Sequence, residues 1–133
     1  DLFAESKPVY VGIAGNHFLA ELAAPSDVKA YDPDFEKISY LPKYGLIITS
    51  ASGDEYDFIS RFFAPAVGVD EDPVTGSAHC ALAPYWAAKL GRNKLLAHQA
   101  SQRGGTLALE LDGDRVLISG KAVTVLRADM DIK

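Results

Sequence analysis

The residues best suited to chemistry lie together in one short segment, residues 68–79, which reads GVDEDPVTGSAH. Three consecutive acids at 70–72 are followed by three residues that could bind an anion: Thr75, Gly76 and Ser77. If a helix begins here, its first amide groups lack intrahelical partners and carry partial positive charge. Glycine lets a ligand approach the backbone closely, and the hydroxyls add donors. The segment predicts a binding site for a carboxylate or phosphate group.

Asp72 allows two interpretations. Because Asp72 precedes Pro73, its backbone is biased away from the helical conformation. Its carboxylate could then lie beside the anion-binding site and act as a proton-transfer group. Alternatively, Asp72 is the N-cap of the helix and Pro73 its first residue, which is an ordinary helix start. Gly76 opposes this second interpretation, since glycine in a first turn weakens a helix by about 1 kcal/mol. We expect Asp70 and Glu71 to lie in a solvated loop.

Other candidate residues have simpler interpretations. His17, His79 and His98 have no ligand spacing, so no metal site is predicted, and His79 is expected to be structural. Cys80, one turn inside an apolar helix, is expected to be buried and inert. Arg103 precedes a predicted strand and could bind a carboxylate bidentately, although an exposed turn arginine is the simpler interpretation. The dinucleotide fingerprint and the Walker phosphate loop are both absent, so no cofactor is predicted.

One long helix must position this segment. Residues 75–90 are the only long helical candidate, and Gly91 follows as a C-cap signal. Apolar residues are spread around its whole circumference, which predicts a helix buried on all sides. Pro84 is expected to bend or loosen it.

Short β-branched and aromatic runs separated by turn residues predict strands around this helix. The predicted strands are 9–13, 17–22, 27–31, 44–51, 56–63, 94–100, 106–111, 116–119 and 122–127, and residues 33–38 are predicted to form one or two helical turns. We therefore expect an α+β domain in which a curved, mostly antiparallel sheet is wrapped around one central helix.

Composition excludes several classes of protein. The 133 residues correspond to one domain, or to half of a larger protein, and 48% hydrophobic with 23% charged residues is typical of a globular chain. Thirteen basic against 18 acidic residues give a net charge of −5, so no nucleic-acid partner is predicted. The longest uncharged stretch, residues 73–88, is too short to span a membrane. A single cysteine excludes an internal disulfide, and a cytoplasmic protein is expected.

Three parts of the chain resemble the phenazine-biosynthesis (PhzF-like) isomerase family. They are RFFAP at 61–65 with Gly68, EDPVTGSAH at 71–79, and Gln99 with RGG at 103–105. The resemblance covers essentially the whole chain and implies a diaminopimelate-epimerase-like fold. In that fold two similar domains each wrap a sheet around a central helix, and the active site lies between them. Family members are cofactor-independent isomerases in which a carboxylate moves a proton on a small carboxylate-bearing substrate.

The resemblance also implies roles for individual residues. Asp72 would act in proton transfer or substrate orientation, Gly76 and Ser77 would hold the substrate carboxylate, and Thr75 and Arg103 are further substrate-binding candidates. The family's chains are about twice as long, and the catalytic glutamate and Gly-His motif of their N-terminal half are not found here.

The chain thus resembles the C-terminal half alone, and we expect it to be inactive by itself. Its expected partner is the N-terminal domain or a second copy, with a homodimer favoured. A non-catalytic anion-binding or dimerisation module that keeps the fold is the alternative, and a domain whose Asp-Pro merely caps a helix is a third.

Overall fold

A computed structural model describes residues 2, 3 and 6–132 of the chain. Their elements, in chain order, are β1 (Tyr10–Ala14), β2 (His17–Glu21), α1 (Pro25–Ala30), α2 (Phe35–Ser39), β3 (Gly45–Ala51), β4 (Phe58–Phe63), a 3-10 turn (Pro65–Val67), α3 (Gly76–Leu90), β5 (Lys94–Gln99), β6 (Gly105–Asp112) and β7 (Arg115–Ser119). No helix in this part of the chain is long and apolar enough to cross a membrane.

The strands form one mixed sheet in which each strand lies beside its sequence neighbour, in the order β1 to β7. Four of the neighbouring pairs are antiparallel, whereas β2–β3 and β4–β5 are parallel. A parallel pair needs a crossover connection, and here α1 and α2 link β2 to β3 while α3 links β4 to β5. The α+β class and the predominance of antiparallel pairs agree with the prediction.

One core forms between α3 and the face of the sheet turned toward it. Leu82 and Trp86 of α3 pack among buried side chains of five strands, from Leu19 in β2 to Leu109 in β6, and partly buried side chains of β1 and β7 complete the cluster. A flat sheet of seven strands would be about 29 Å wide, but a helix is only about 10 Å across. The sheet must therefore curve around α3 for its outer strands to reach the same cluster.

The prediction that α3 is buried on all sides is wrong. Ala78, Leu82 and Trp86 face the core, whereas Cys80 and Pro84 lie on an exposed side of the helix. The expectation that Cys80 is buried fails with it, because the thiol is exposed. The sheet covers α3 from one side only. The residues on the other side of the helix are small and apolar, so the sequence pattern does not distinguish them from buried core residues. Helix α3 continues through Pro84.

A second core lies on the opposite face of the sheet, where α1 and α2 cover β2 to β4. Val28 of α1 and Ile38 of α2 pack there with Ile48 and Phe63. The predicted strand at 27–31 is wrong, because residues 27–30 belong to α1, which has Pro25 in its first turn, and Tyr31 is its C-cap. Proline is pre-organised for that position, and Val28 is the residue that this short helix buries.

The predicted strand at 122–127 is also wrong. Residues 120–132 follow β7 without regular secondary structure, and Val123, Val125 and Leu126 are exposed. The alternating pattern is compatible with a strand, but a strand needs a neighbour to accept its hydrogen bonds, and this segment pairs with no strand in the described part of the chain. The other predicted elements agree with the structure to within two residues at each end.

Candidate functional site

The loop between β4 and α3 carries the acidic residues, and its ends are tied to the sheet. Ala64 and Val69 form an isolated β-bridge around the 3-10 turn, which Gly68 closes in the left-handed conformation at φ 84°. Further along, the amide of Asp72 donates to the carbonyl of Phe62 over 3.0 Å. The backbone of Asp72 is thus fixed to the end of β4.

Glu71 is not the solvated loop residue that the sequence suggested. Its two carboxylate oxygens accept from Arg61 Nε over 2.7 Å and from Arg61 Nη2 over 3.0 Å. The remaining guanidinium nitrogen donates to the carbonyls of Val28 and Tyr31. Arg61 is therefore an internal clamp that joins the loop to the end of α1. Asp70, the first of the three acids, is exposed as expected.

Asp72, Thr75 and Gln99 form a closed hydrogen-bonded cluster at the start of α3. Thr75 Oγ1 donates to Asp72 Oδ2 over 2.6 Å, and the Thr75 amide donates to Gln99 Oε1 over 2.7 Å. Gln99 Nε2 donates to the Asp72 carbonyl over 2.6 Å and to Thr75 Oγ1 over 3.0 Å. Thr75 is 6% exposed and Gln99 is fully buried, so water does not compete for these bonds.

The interpretation of Asp72 as the helix N-cap is wrong. Thr75 occupies the N-cap position, Gly76 begins α3, and the Thr75 side chain makes no capping hydrogen bond to the helix. Gly76 and Ser77 are exposed, and a Cβ placed on Gly76 would meet nothing within 4 Å. The first two residues of α3 are therefore open to solvent, which leaves room for an anion at this helix end.

A groove of about 640 Å³ runs from this helix end along the exposed side of α3, between the helix and the β1–β2 hairpin. Ser77 and Cys80 line it near the helix start, and the rings of Tyr10 and Tyr85, 5.5 Å apart, line it further along. Burial and a hydrogen bond to Glu21 raise the pKa of Tyr85, so its hydroxyl is a proton donor and not an anion.

Two histidines lie near the site. His17 lines the groove, and partial burial lowers its pKa. His79 is fully buried one turn into α3, its Nδ1 lies 2.7 Å from the Thr75 carbonyl, and burial lowers its pKa. Its position inside the core agrees with the structural role expected for it.

The side chain of Arg103 is not part of the cluster around Asp72. It is exposed and makes no hydrogen bond or ion pair with the described residues, although its turn packs against the segment that follows Asp72. Ser101 Oγ donates to the Pro73 carbonyl over 2.8 Å, and Gly105 lies against Val74. Arg103 and Val74 also line a second open groove of about 960 Å³.

Gln99 is the site residue that sequence reasoning assigned no role. The alternating pattern of β5 could have revealed it. Leu95, Ala97 and Gln99 point to the same side of the strand, so Gln99 is expected to be buried with the two apolar residues. A buried amide needs partners, and the start of α3 supplies them. No group of three or more His, Cys, Asp and Glu within residues 2–3 and 6–132 is arranged to hold a metal ion.

Comparison with known proteins adds family information. Residues 3–128 match the family described as "Phenazine biosynthesis-like protein" (PhzC-PhzF). An uncharacterised isomerase of Halalkalibacterium halodurans is 51% identical over 125 residues, which are 93% of this chain and 47% of that protein. A second uncharacterised isomerase, from Pseudomonas aeruginosa, is 52% identical over 118 residues, covering 89% of this chain and 45% of that protein.

Solved structures show the same relationship. A phenazine biosynthesis PhzC/PhzF protein from Clostridium difficile superposes with a TM-score of 0.84 at 39% identity, covering 94% of this chain and 48% of that one. A PhzF family protein from Enterococcus faecalis superposes with a TM-score of 0.79 at 35% identity, covering 88% and 46%. The chain spans about half the length of these relatives.

Proposed function

The chain belongs to the phenazine biosynthesis-like PhzC-PhzF family, and we propose that it is the C-terminal half of an isomerase that moves a proton on a small carboxylate substrate. The observation that carries this proposal is the cluster in which Thr75 holds one oxygen of Asp72 at the open start of α3. Relatives named as isomerases support the reaction class, and their double length supports the assignment to one half.

In the proposed reaction, the amides of Gly76 and Ser77 donate hydrogen bonds to the substrate carboxylate. This holds a C–H bond of the substrate against Asp72, whose carboxylate takes up the proton. The electron pair stays on the substrate, where its conjugated groups delocalise it. Asp72 then passes the proton to the glutamate expected from the N-terminal half, which returns it at another position of the substrate, so atoms and charge balance without a cofactor. Thr75 serves Asp72 in this scheme, because its hydroxyl and amide are both bonded within the protein.

The second half of the protein would complete the site. The resemblance implies a catalytic glutamate in an N-terminal domain, and the groove beside Ser77 is open on the side where such a domain could close it. We expect the isolated chain to bind a carboxylate weakly and to turn over little or no substrate. The partner in the cell would be that domain of the same protein.

A non-catalytic interaction module that dimerises is the second candidate, and one observation favours it. Strand β1 lies at the edge of the sheet. Val9, just before this strand, and Val11 and Ile13 within it are apolar and are 62%, 59% and 66% exposed. An exposed apolar edge strand is a template for pairing with a second chain. Light scattering at high concentration tests this candidate, and a monomer would count against it.

Carboxylate binding is the first test of the proposed site. Benzoate titrated into the 133-residue chain should shift the NMR signals of the Gly76 and Ser77 amides before any others. The same titration of Ser77→Pro, which removes one amide donor, should need a higher benzoate concentration. If only the NMR signals of residues in the groove near Arg103 shifted, the assignment of the carboxylate-binding site to Gly76 and Ser77 would be overturned.

Proton transfer is tested in the full two-domain protein by solvent deuterium incorporation into a set of small unsaturated carboxylates. Asp72→Asn should lower the rate by about 100-fold or more, the usual contribution of a general acid–base group. Asp70→Asn, which removes the exposed carboxylate two residues earlier, is the matched control and should leave the rate within about threefold. Equal rates for the two variants would exclude Asp72 as the proton-transfer group.

A further inference from the structure

We propose that Gln99 is a positioning residue that sets the direction of the Thr75 hydroxyl and thereby leaves one oxygen of Asp72, Oδ1, to meet the substrate. The inference rests on the proposed function for its consequence, but its geometry stands apart from any activity. Gln99 comes from β5, 27 residues after Asp72, and reaches the start of α3 from the sheet side.

The orientation of the Gln99 amide is forced by its backbone partners. The Thr75 amide can only donate, so the atom 2.7 Å from it must be the oxygen Oε1. The Asp72 carbonyl can only accept, so the atom 2.6 Å from it must be the nitrogen Nε2. A flipped amide would place two donors together and two acceptors together. The two ends of the amide are therefore not interchangeable.

The direction of the Thr75 hydroxyl follows from that orientation. Gln99 Nε2 lies 3.0 Å from Thr75 Oγ1 and has no lone pair to accept with, so the hydroxyl oxygen accepts there. The single hydroxyl proton is then left for Asp72 Oδ2, 2.6 Å away. The result is a one-way relay in which Gln99 donates to Thr75 and Thr75 donates to Asp72.

The relay distinguishes the two carboxylate oxygens of Asp72. Oδ2 is held by the hydroxyl, whereas Oδ1 makes no hydrogen bond to the residues that the structure describes. Gln99 also holds the Asp72 carbonyl, and Phe62 holds its amide, so both ends of the residue are fixed. In the proposed reaction the proton is exchanged at Oδ1, and the Thr75 hydroxyl is committed to Asp72 and not to substrate.

Only glutamine meets these demands at this position. Asparagine is one methylene shorter and cannot reach the same three partners from β5. Glutamate has the same shape and can still accept from the Thr75 amide, but an ionised carboxylate has no proton to donate. In Gln99→Glu the Thr75 hydroxyl would turn toward the introduced carboxylate and leave Asp72 Oδ2. This variant therefore keeps the length of the side chain but removes both bonds that Gln99 Nε2 donates, to Thr75 Oγ1 and to the Asp72 carbonyl.

The test follows the Thr75 hydroxyl proton by NMR in the 133-residue chain. A buried, bonded hydroxyl exchanges slowly, and in the wild type we expect its signal with nuclear Overhauser contacts to both Gln99 Nε2 protons. In Gln99→Glu those contacts are absent, the hydroxyl signal shifts or is lost, and the Thr75 amide stays protected from exchange. Thr75→Ser should keep the hydroxyl signature and Thr75→Val should abolish it. Gln102→Glu, in the exposed turn nearby, is the matched control and should change neither.

The two-domain protein gives the functional readout. Gln99→Glu should lower kcat for deuterium exchange by about tenfold or more and change KM by less than about threefold, because carboxylate binding at Gly76 and Ser77 is untouched. Thr75→Ser should retain most of kcat. Two results would overturn the relay. One is a hydroxyl signal that is unchanged in Gln99→Glu, and the other is a rise in KM for this variant with kcat unchanged. If the wild type shows no exchange at all, the proposed function fails, and the NMR result still decides the relay.

Discussion

The guanidinium of Arg61 binds both carboxylate oxygens of Glu71, at 2.7 and 3.0 Å, from a position above the ring of Phe63. The pair joins β4 to the loop that carries Asp72, and the third guanidinium nitrogen joins both to the carbonyls of Val28 and Tyr31. Four of its five N–H donors face acceptors within the protein, so Arg61 holds the approach to the site in a single arrangement.

Breaking this pair should destabilise the protein more than breaking an exposed pair. In Glu71→Gln we expect a loss of about 2 kcal/mol in the free energy of unfolding, because Arg61 and Glu71 are only 12% and 19% exposed. Glu110→Gln removes the exposed partner of Lys94 and should lose less than about 1 kcal/mol. Urea denaturation at pH 7 measures both. Equal losses would mean that Glu71 is solvated after all.

Gly76→Ala should separate stability from ligand binding. The added Cβ meets nothing within 4 Å, and alanine is the better helix former, so stability should stay equal or rise by up to about 1 kcal/mol. Benzoate binding should weaken, because the methyl group occupies the space through which the ligand approaches the backbone. Gly53→Ala is the control: its backbone is left-handed at φ 79°, so stability should fall by about 1 kcal/mol with benzoate binding unchanged. Unaltered benzoate binding in Gly76→Ala would contradict the proposed carboxylate-binding site.

Cys80 should react as an exposed thiol in the folded chain. Ellman's reagent should titrate one thiol per chain without denaturant, since this residue is exposed on α3 and the sequence contains one cysteine. In the proposed two-domain protein the same thiol should react at least about tenfold more slowly, because the second half is expected to cover the groove. Equal rates in the two proteins would show that the Cys80 side of α3 does not meet the second half.

His79 should make the protein less stable in mild acid. The unfolded chain binds a proton at His79 near the ordinary pKa of 6.5, whereas burial lowers the pKa in the folded chain, an effect that the bond to the Thr75 carbonyl partly opposes. Below pH 6.5 the unfolded state therefore binds more protons, and the free energy of unfolding falls as the pH falls, by at most about 1.4 kcal/mol per pH unit.

Denaturation curves between pH 7.5 and 5 measure this effect. His79→Asn should lower stability at pH 7.5 and flatten its decline below pH 6.5. His98→Asn is the comparison, because burial also lowers the pKa of His98 and gives the same sign, but this ring is only half-buried. A wild-type stability that rises from pH 6.5 to pH 5 would contradict the placement of a neutral His79 in the core.

Local patterns predicted much of the fold. The strand from 45 to 51 and the helix from 76 to 90 were evident because a long apolar run and a run of helix formers ending at Gly91 leave few alternatives. The segment 27–31 misled because a few β-branched and aromatic residues fit a strand or one helical turn equally well, and its packing against β3 decides between them.

For the site, residue type and spacing were enough to single out the carboxylate of Asp72 and the glycine at the start of α3. Tertiary packing was needed to establish that Thr75 and not Asp72 occupies the N-cap position, that Glu71 is bound to Arg61, and that Gln99 bonds to Asp72 and Thr75 from another strand. Hydrogen-bond partners far apart in the chain depend on the register of β4 and β5 around α3. That register results from burying side chains across the whole sheet and is written in no single segment.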